Sequence, residues 1–465
     1  VRNNPARCDG IRVACSSSFF LEEELMEHLN KDVRRGRELP ASARMALAVL
    51  GALTVIAIAA AARAEVKPGD MITPANAAKV KDLVSPGVYY KVENGMSMKI
   101  VPSGQVDWPP PYKDATEKYS AQVRLSRDNR SLVGYVAGQP FPLIDTNDPQ
   151  VATKIMWNNV FRPLLTDDYD LRFYDCESVY GGRNKPNNVI QYYQIGHYAG
   201  YDLVGRVEVE PMPVDPDYKK TNRLWLFGLY PVLSPQAERG EGFIRFRYGQ
   251  PDRGDDDWSW NPGTRRIRRL NEAQQTTATG AQTWNPDHYS GFNAKTEEYN
   301  YKFLGDRPML GVAHAEHSPE LKCSTDGGAS ACPEAWEMRN MYIVEASPRR
   351  ELISQALQGK TIIYMDSEMW YQPYIDEYDQ KGQLWLNHIW WTTYRDRPVP
   401  DARVAIYPFK REFEVGAVST DVQSGFATMC YLPGLQTPER ECWYINMGAV
   451  DKNFFTTDAM VKAAP

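Results

Sequence analysis

The chain has 465 residues, 43% of them hydrophobic and 12% aromatic, with 53 basic against 59 acidic side chains and a net charge of −6. The length and apolar share suffice for one large core or two ordinary ones. The acidic balance disfavours a nucleic-acid partner, because a phosphate backbone selects basic surfaces.

Residues 1–44 read as an extension, cleaved or carrying a mis-assigned start, with Met26 as the expected true start. The extension places Cys8, Cys15 and Glu22-Glu23-Glu24 ahead of an export signal. Met45 to Ala62 is uncharged and rich in Ala, Leu, Val and Ile, with Arg44 before it and Ala62-Arg63-Ala64 as an A-x-A site after it. This pattern predicts a signal peptide over 45–64, cleaved after Ala64, and export to the periplasm. The mature chain is then expected to be membrane-peripheral at most.

Residues 65–131 predict one helix and a Pro-rich extended arm. Thr73 and Pro74 are suited to open a helix running to Leu83, and Trp108-Pro109-Pro110-Pro111-Tyr112 reads as extended. Asp148-Pro149 opens a second helix with Ala152, Ile155, Met156 and Val160 on one face. From 132 to 450 the pattern is mainly β. Arg206–Glu210 and Gly242–Tyr248 alternate, and the turn Asn261-Pro262-Gly263 leads into the charged strand Thr264–Leu270. Alternation puts Arg266 and Arg268 on one face, where they either grip an anionic head group or pair with acids such as Asp255–Asp257. Ser347-Pro348 is expected to open a helix to about Leu357, and residues 451–465 to form a flexible tail.

Thr361 to Tyr394 is the most informative stretch: strand, turn at Asp366-Ser367-Glu368, strand, turn at Asp379-Gln380-Lys381-Gly382, strand. In the third strand Trp385, Ile389 and Trp391 share one face, while Leu384, Leu386 and Trp390 share the other. Both faces are apolar, so each needs cover. One reading is core packing under helices and loops. The other is a cavity for an acyl chain lined by Trp370, Tyr374, Trp385, Ile389 and Trp391. Both stay open at this point.

Catalytic signatures are sparse. G-x-S-x-G and Gly-rich phosphate loops are absent from the sequence. His314, Glu316 and His317 could hold a metal for hydrolysis, but polar loop residues are the favoured reading, so neither cofactor nor enzymatic activity is expected. Five cysteines follow the signal. Proximity suggests pairing Cys323 with Cys332 and Cys430 with Cys442, leaving Cys176 as a buried thiol.

The blocks PGTRRIRRL (Pro262–Leu270), GQPFP (Gly138–Pro142), KIMWN (Lys154–Asn158), IIYMDSEMW and YDQKGQLW resemble the bacterial domain-of-unknown-function family 1329. The likeness runs from about Val66 to Tyr431. It is also similar to the wider group of periplasmic lipoprotein carriers. The resemblance implies an α+β, mainly β fold: a curved antiparallel half-barrel, unclosed and covered by a few helices. It further implies a non-enzymatic carrier or transport accessory for a hydrophobic small molecule or lipid, associated with the outer membrane. The implied partner is an inner-membrane exporter of the resistance-nodulation-division type. Two alternatives are the metal-assisted hydrolase and an outer-membrane-associated adaptor for an exporter that docks through the Pro-rich arm.

Overall fold

A computed structural model describes residues 66–270, 282–316, 322–354, 356–398, 405–432 and 443–464. The export signal and cleavage site expected over 45–64 and the extension before them lie outside these residues, as do His317 and Cys442.

Thirteen of the seventeen strands of the main sheet form its framework, and the other four are two or three residues long. The first six are β1 (Asp168–Tyr180), β2 (Val189–Asp202), β3 (Arg223–Leu229), β4 (Gly242–Tyr248), β5 (Asp256–Asn261) and β6 (Arg266–Arg269). The other seven are β7 (Tyr299–Gly311), β8 (Glu334–Pro348), β9 (Lys360–Asp366), β10 (Tyr374–Tyr378), β11 (Leu384–Arg395), β12 (Arg411–Asp421) and β13 (Phe426–Tyr431). The two runs pair antiparallel in sequence order, and β13 pairs with β1, so the spatial order is β7 to β13 followed by β1 to β6. β6 and β7 remain the two edges, unpaired with each other among the described residues. The result is the mainly β, unclosed half-barrel. A short strand, Met98–Ile100, adds one parallel pairing beside β8.

The meander forms as its turn chemistry requires. Asp366 Oδ1 accepts from the Glu368 and Met369 amides at 2.8 and 3.1 Å. Asp379 Oδ1 accepts from those of Lys381 and Gln383 at 2.9 Å each. Gly382 has φ +77°, the left-handed position of that turn. Asp366 and Asp379 are therefore turn residues.

Helix α1 (Pro86–Glu93) covers one face of β10 and β11. Ser85 caps it, Pro86 occupies its first turn, and Asp376 of β10 accepts from Ser85 Oγ at 3.0 Å and Gly87 N at 2.9 Å. The carboxylate thus meets the positive end of the helix. Sequence reading placed a helix over 74–83 instead. That stretch contains a 3-10 turn, Ala77–Val80, and the Ser85-Pro86 start signal was the one to follow.

The arm also differs from expectation. Pro110–Tyr119 is helix α2, because the prolines sit in its first turn, where no amide donor is needed. Val151–Val160 forms helix α3 with Ala152, Ile155 and Met156 buried, as its spacing predicted. Residues 206–210 are not a strand: the amides of Val207, Glu208 and Val209 all donate to the Asp167 carboxylate at 2.6–2.7 Å. No helix starts at Ser347, because β8 stays in register with β7 through Pro348. The tail is docked. Thr456 caps helix α4 (Thr457–Lys462), Met460 is fully buried, and Phe454 stacks on Tyr230 at 4.5 Å.

Among the described residues, two disulfides are present. Cys323 joins Cys332. Cys430 joins Cys176 rather than Cys442, because the β13–β1 register sets the two cysteines directly opposite each other. Cys176 is therefore not a free thiol.

Candidate ligand cavity

The segment 282–293 crosses the face of the sheet opposite α1. Trp284 Nε1 donates to Thr428 O at 3.1 Å, Thr283 Oγ1 to Ser419 O at 2.9 Å, and Asn159 Nδ2 to Phe292 O at 3.0 Å. Strand β4 holds the same segment from the other side. Its alternation directs Phe243, Arg245 and Arg247 to one face. Arg245 pairs with Asp257 of β5 at 2.7 Å and reaches Asp287 at 2.8 Å; Arg247 pairs with Asp255 at 2.7 Å and donates to Asn293 O at 3.0 Å. These are buried, multiply hydrogen-bonded ion pairs, the geometry that offsets the loss of hydration. Asp255 and Asp257 therefore serve the arginines of β4, and Asp256 accepts from Tyr248 Oη of the same strand at 2.6 Å. Asp256 alone pairs with β6, through Arg269.

Between the crossing segment and strands β1 to β6 lies a cavity of about 490 Å³. Its floor is apolar: Tyr174 of β1, Tyr193 and Ile195 of β2, Leu229 of β3, Val232 and Phe243, with Trp260 and Tyr289 on the walls. Tyr174 and Ile195 are directly paired across β1 and β2, as are Cys176 and Tyr193, so one pleat supplies the part of the floor that β1 and β2 contribute. The rim is polar, with Glu238, Glu241, Thr264, Arg266 and Arg268. The two arginines are exposed on edge strand β6 and have no ion-pair partner among the described residues. Burial raises the Glu238 carboxyl above its ordinary value, and burial together with Glu238 raises that of Glu241.

A smaller cavity of about 40 Å³ adjoins it, lined by Trp284, His288, Ser290, Trp390 and Glu414 among others. Burial pushes the Glu414 carboxyl up to about 7, against hydrogen bonds from Tyr371 and Ser290. Tyr371 Oη donates to Glu414 Oε2 at 2.6 Å.

The aromatic residues expected to line a cavity do not line either one. Trp370, Tyr374, Ile389 and Trp391 are at most 2% exposed and lie in the core, while Trp385 is half-buried near the end of its strand. The reason is cover: α1 takes one face of β10 and β11 and the crossing segment takes the other, which leaves no space at the meander. The cavity opens where the sheet extends into β1–β6 and the cover thins to the turn around Pro286. Sequence reading missed Tyr174, Tyr193 and Phe243, although the last sits in an alternating strand it had marked. Arg266 and Arg268 line the large cavity.

The His314 cluster is not assembled among the described residues. His314 Nδ1 bonds Glu337 Oε1 at 2.7 Å, whereas Glu316 reaches outward to Lys99 at 3.1 Å. Two further acids of the meander, Asp376 and Glu377, face opposite sides of the sheet.

An uncharacterised protein of Pseudomonas aeruginosa is 20% identical over 348 residues, 68% of this chain and 67% of that one. Among solved structures, a domain from Vibrio parahaemolyticus described as an outer-membrane lipoprotein-sorting protein is 13% identical with a TM-score of 0.43, covering 66% of this chain and 97% of that one. A family 1329 protein from Desulfovibrio piger is 13% identical with a TM-score of 0.40, over 64% and 92% of the two chains. A LolA superfamily protein from Nitrosomonas europaea is 13% identical with a TM-score of 0.33, over 63% and 91%. The family model described as "Protein of unknown function (DUF1329)" matches residues 71–461, and the chain belongs to that family.

Proposed function

We propose that the protein is a non-enzymatic periplasmic carrier of an amphiphile with an acyl-like tail. The observation that supports this reading is the cavity of about 490 Å³ with an apolar floor and a charged rim. Its size falls within the range of small-molecule sites, about 300–1,000 Å³. The tail would lie along Tyr174, Ile195, Leu229 and Phe243. The head group would sit at the rim, where Arg266 and Arg268 favour an anion.

Native mass spectrometry and solvent extraction of the full chain, purified from the periplasm under mild conditions, test this reading. The expected result is one co-purifying amphiphile per chain, lost in Val232→Trp, which fills the floor. Repeated recovery of empty wild-type protein that also takes up no added fatty acid would contradict it.

A further inference from the structure

Glu377 of β10 and His388 of β11 project to the face crossed by segment 282–293, and His288 of that segment meets them. Nε2 of His288 lies 2.7 Å, and Nε2 of His388 2.9 Å, from the same oxygen, Glu377 Oε1. The two imidazoles stack at 4.3 Å with a 30° tilt. All three side chains are at most 2% exposed, and one donor atom from each lies within 4.8 Å of the others. Neither Nδ1 atom has a hydrogen-bond partner among the described residues.

This arrangement suits an ion better than it suits a permanent pair of hydrogen bonds. Two imidazoles that share one carboxylate oxygen must both carry a proton on Nε2. No other group holds that proton there, so moving it to Nδ1 frees an Nε2 lone pair without breaking a bond elsewhere. Two imidazole nitrogens and one carboxylate oxygen are a common donor set for zinc, with bonds of about 2.0–2.2 Å. Seating an ion requires the present contacts to open by only about 0.5 Å. The small cavity beside His288, about 40 Å³, has room for a water in the fourth position.

We propose that His288, Glu377 and His388 form a divalent transition-metal site of the zinc type. The ion clamps the crossing segment onto β10 and β11. Pro286 and Tyr289, which flank His288, line the large cavity, so the clamp also fixes part of that cavity's wall. The proposal stands independently of what the large cavity binds.

The test uses the full chain without a metal-affinity tag, stripped with a chelator and titrated with Co²⁺ and then Zn²⁺. One equivalent of Co²⁺ should bind with the visible absorption of a four-coordinate site, be displaced by Zn²⁺, and raise the unfolding temperature. His388→Gln and Glu377→Gln, each checked by circular dichroism, should weaken binding by about 100-fold or more. A readout that needs no variant is the imidazole ¹⁵N spectrum, in which two of the six histidines must shift on zinc addition. Uptake well below one equivalent at micromolar metal, affinity unchanged in both variants, or no histidine shift would each overturn the proposal.

Discussion

Cys176 and Cys430 face each other across β1 and β13 as a disulfide that joins residues 254 apart in sequence. The bond sits at the seam where the first six strands meet the last seven, and both cysteines line the small cavity. It closes a long-range pairing of the sheet beside the strand that supplies Tyr174 to the cavity floor.

Removing that bond with Cys176→Ser and Cys430→Ser together should lower stability by about 2–5 kcal/mol. Denaturant unfolding of oxidised wild type and the double variant measures it. A loss below about 0.5 kcal/mol would show that strand pairing alone holds the seam.

Gly87 lies where α1 touches the sheet most closely. A Cβ there would stand 2.3 Å from Asp376 Oδ1 and 2.6 Å from Asn387 Cβ. Gly87→Ala should destabilise the fold by about 1–3 kcal/mol, because neither neighbour can retreat into solvent. Ligand binding should survive, since α1 covers the opposite face from the cavity. Thermal unfolding together with a binding assay separates the two effects.

Glu414 makes stability depend on pH. Its carboxyl is raised to about 7 by burial, above the 4.5 of a free side chain. The group's contribution is therefore fully present below about pH 4.5 and is lost as pH rises through about 7. Glu414→Gln keeps a neutral group at every pH. Relative to this variant, wild type should lose stability between pH 5 and pH 8, by on the order of 3 kcal/mol at most. Parallel melting curves across that interval check the sign, and a gap that does not change with pH would refute it.

At the rim, Arg266→Ala with Arg268→Ala should reduce affinity for an anionic amphiphile about 10-fold and leave a neutral one of equal chain length unchanged. The difference should shrink at high salt, because both guanidiniums are exposed.

The meander was legible because its information is local. Asp366, Asp379 and Gly382 specify turns within a few residues, and strand alternation does the rest. Helix α3 and strand β4 were readable for the same reason. The cavity was not, because it depends on the pairing of β13 with β1 and on a segment between edge strands β6 and β7 that folds back across the sheet. The aromatic density of Trp370, Tyr374 and Trp391 marks a filled core, not a hollow one. Cys430 carried the missing information about the seam, but nearness in sequence pointed it to Cys442. His288, Glu377 and His388 converge from three separate elements, a spacing no local motif reveals.

The most direct test is equilibrium binding of a fluorescent fatty acid to the full chain, read as probe emission and as quenching of Trp260. Saturable binding at one site per chain, abolished by Val232→Trp but retained by Trp391→Phe, is the expected result. Loss of binding in Trp391→Phe with retention in Val232→Trp would place the ligand at the meander and contradict the account.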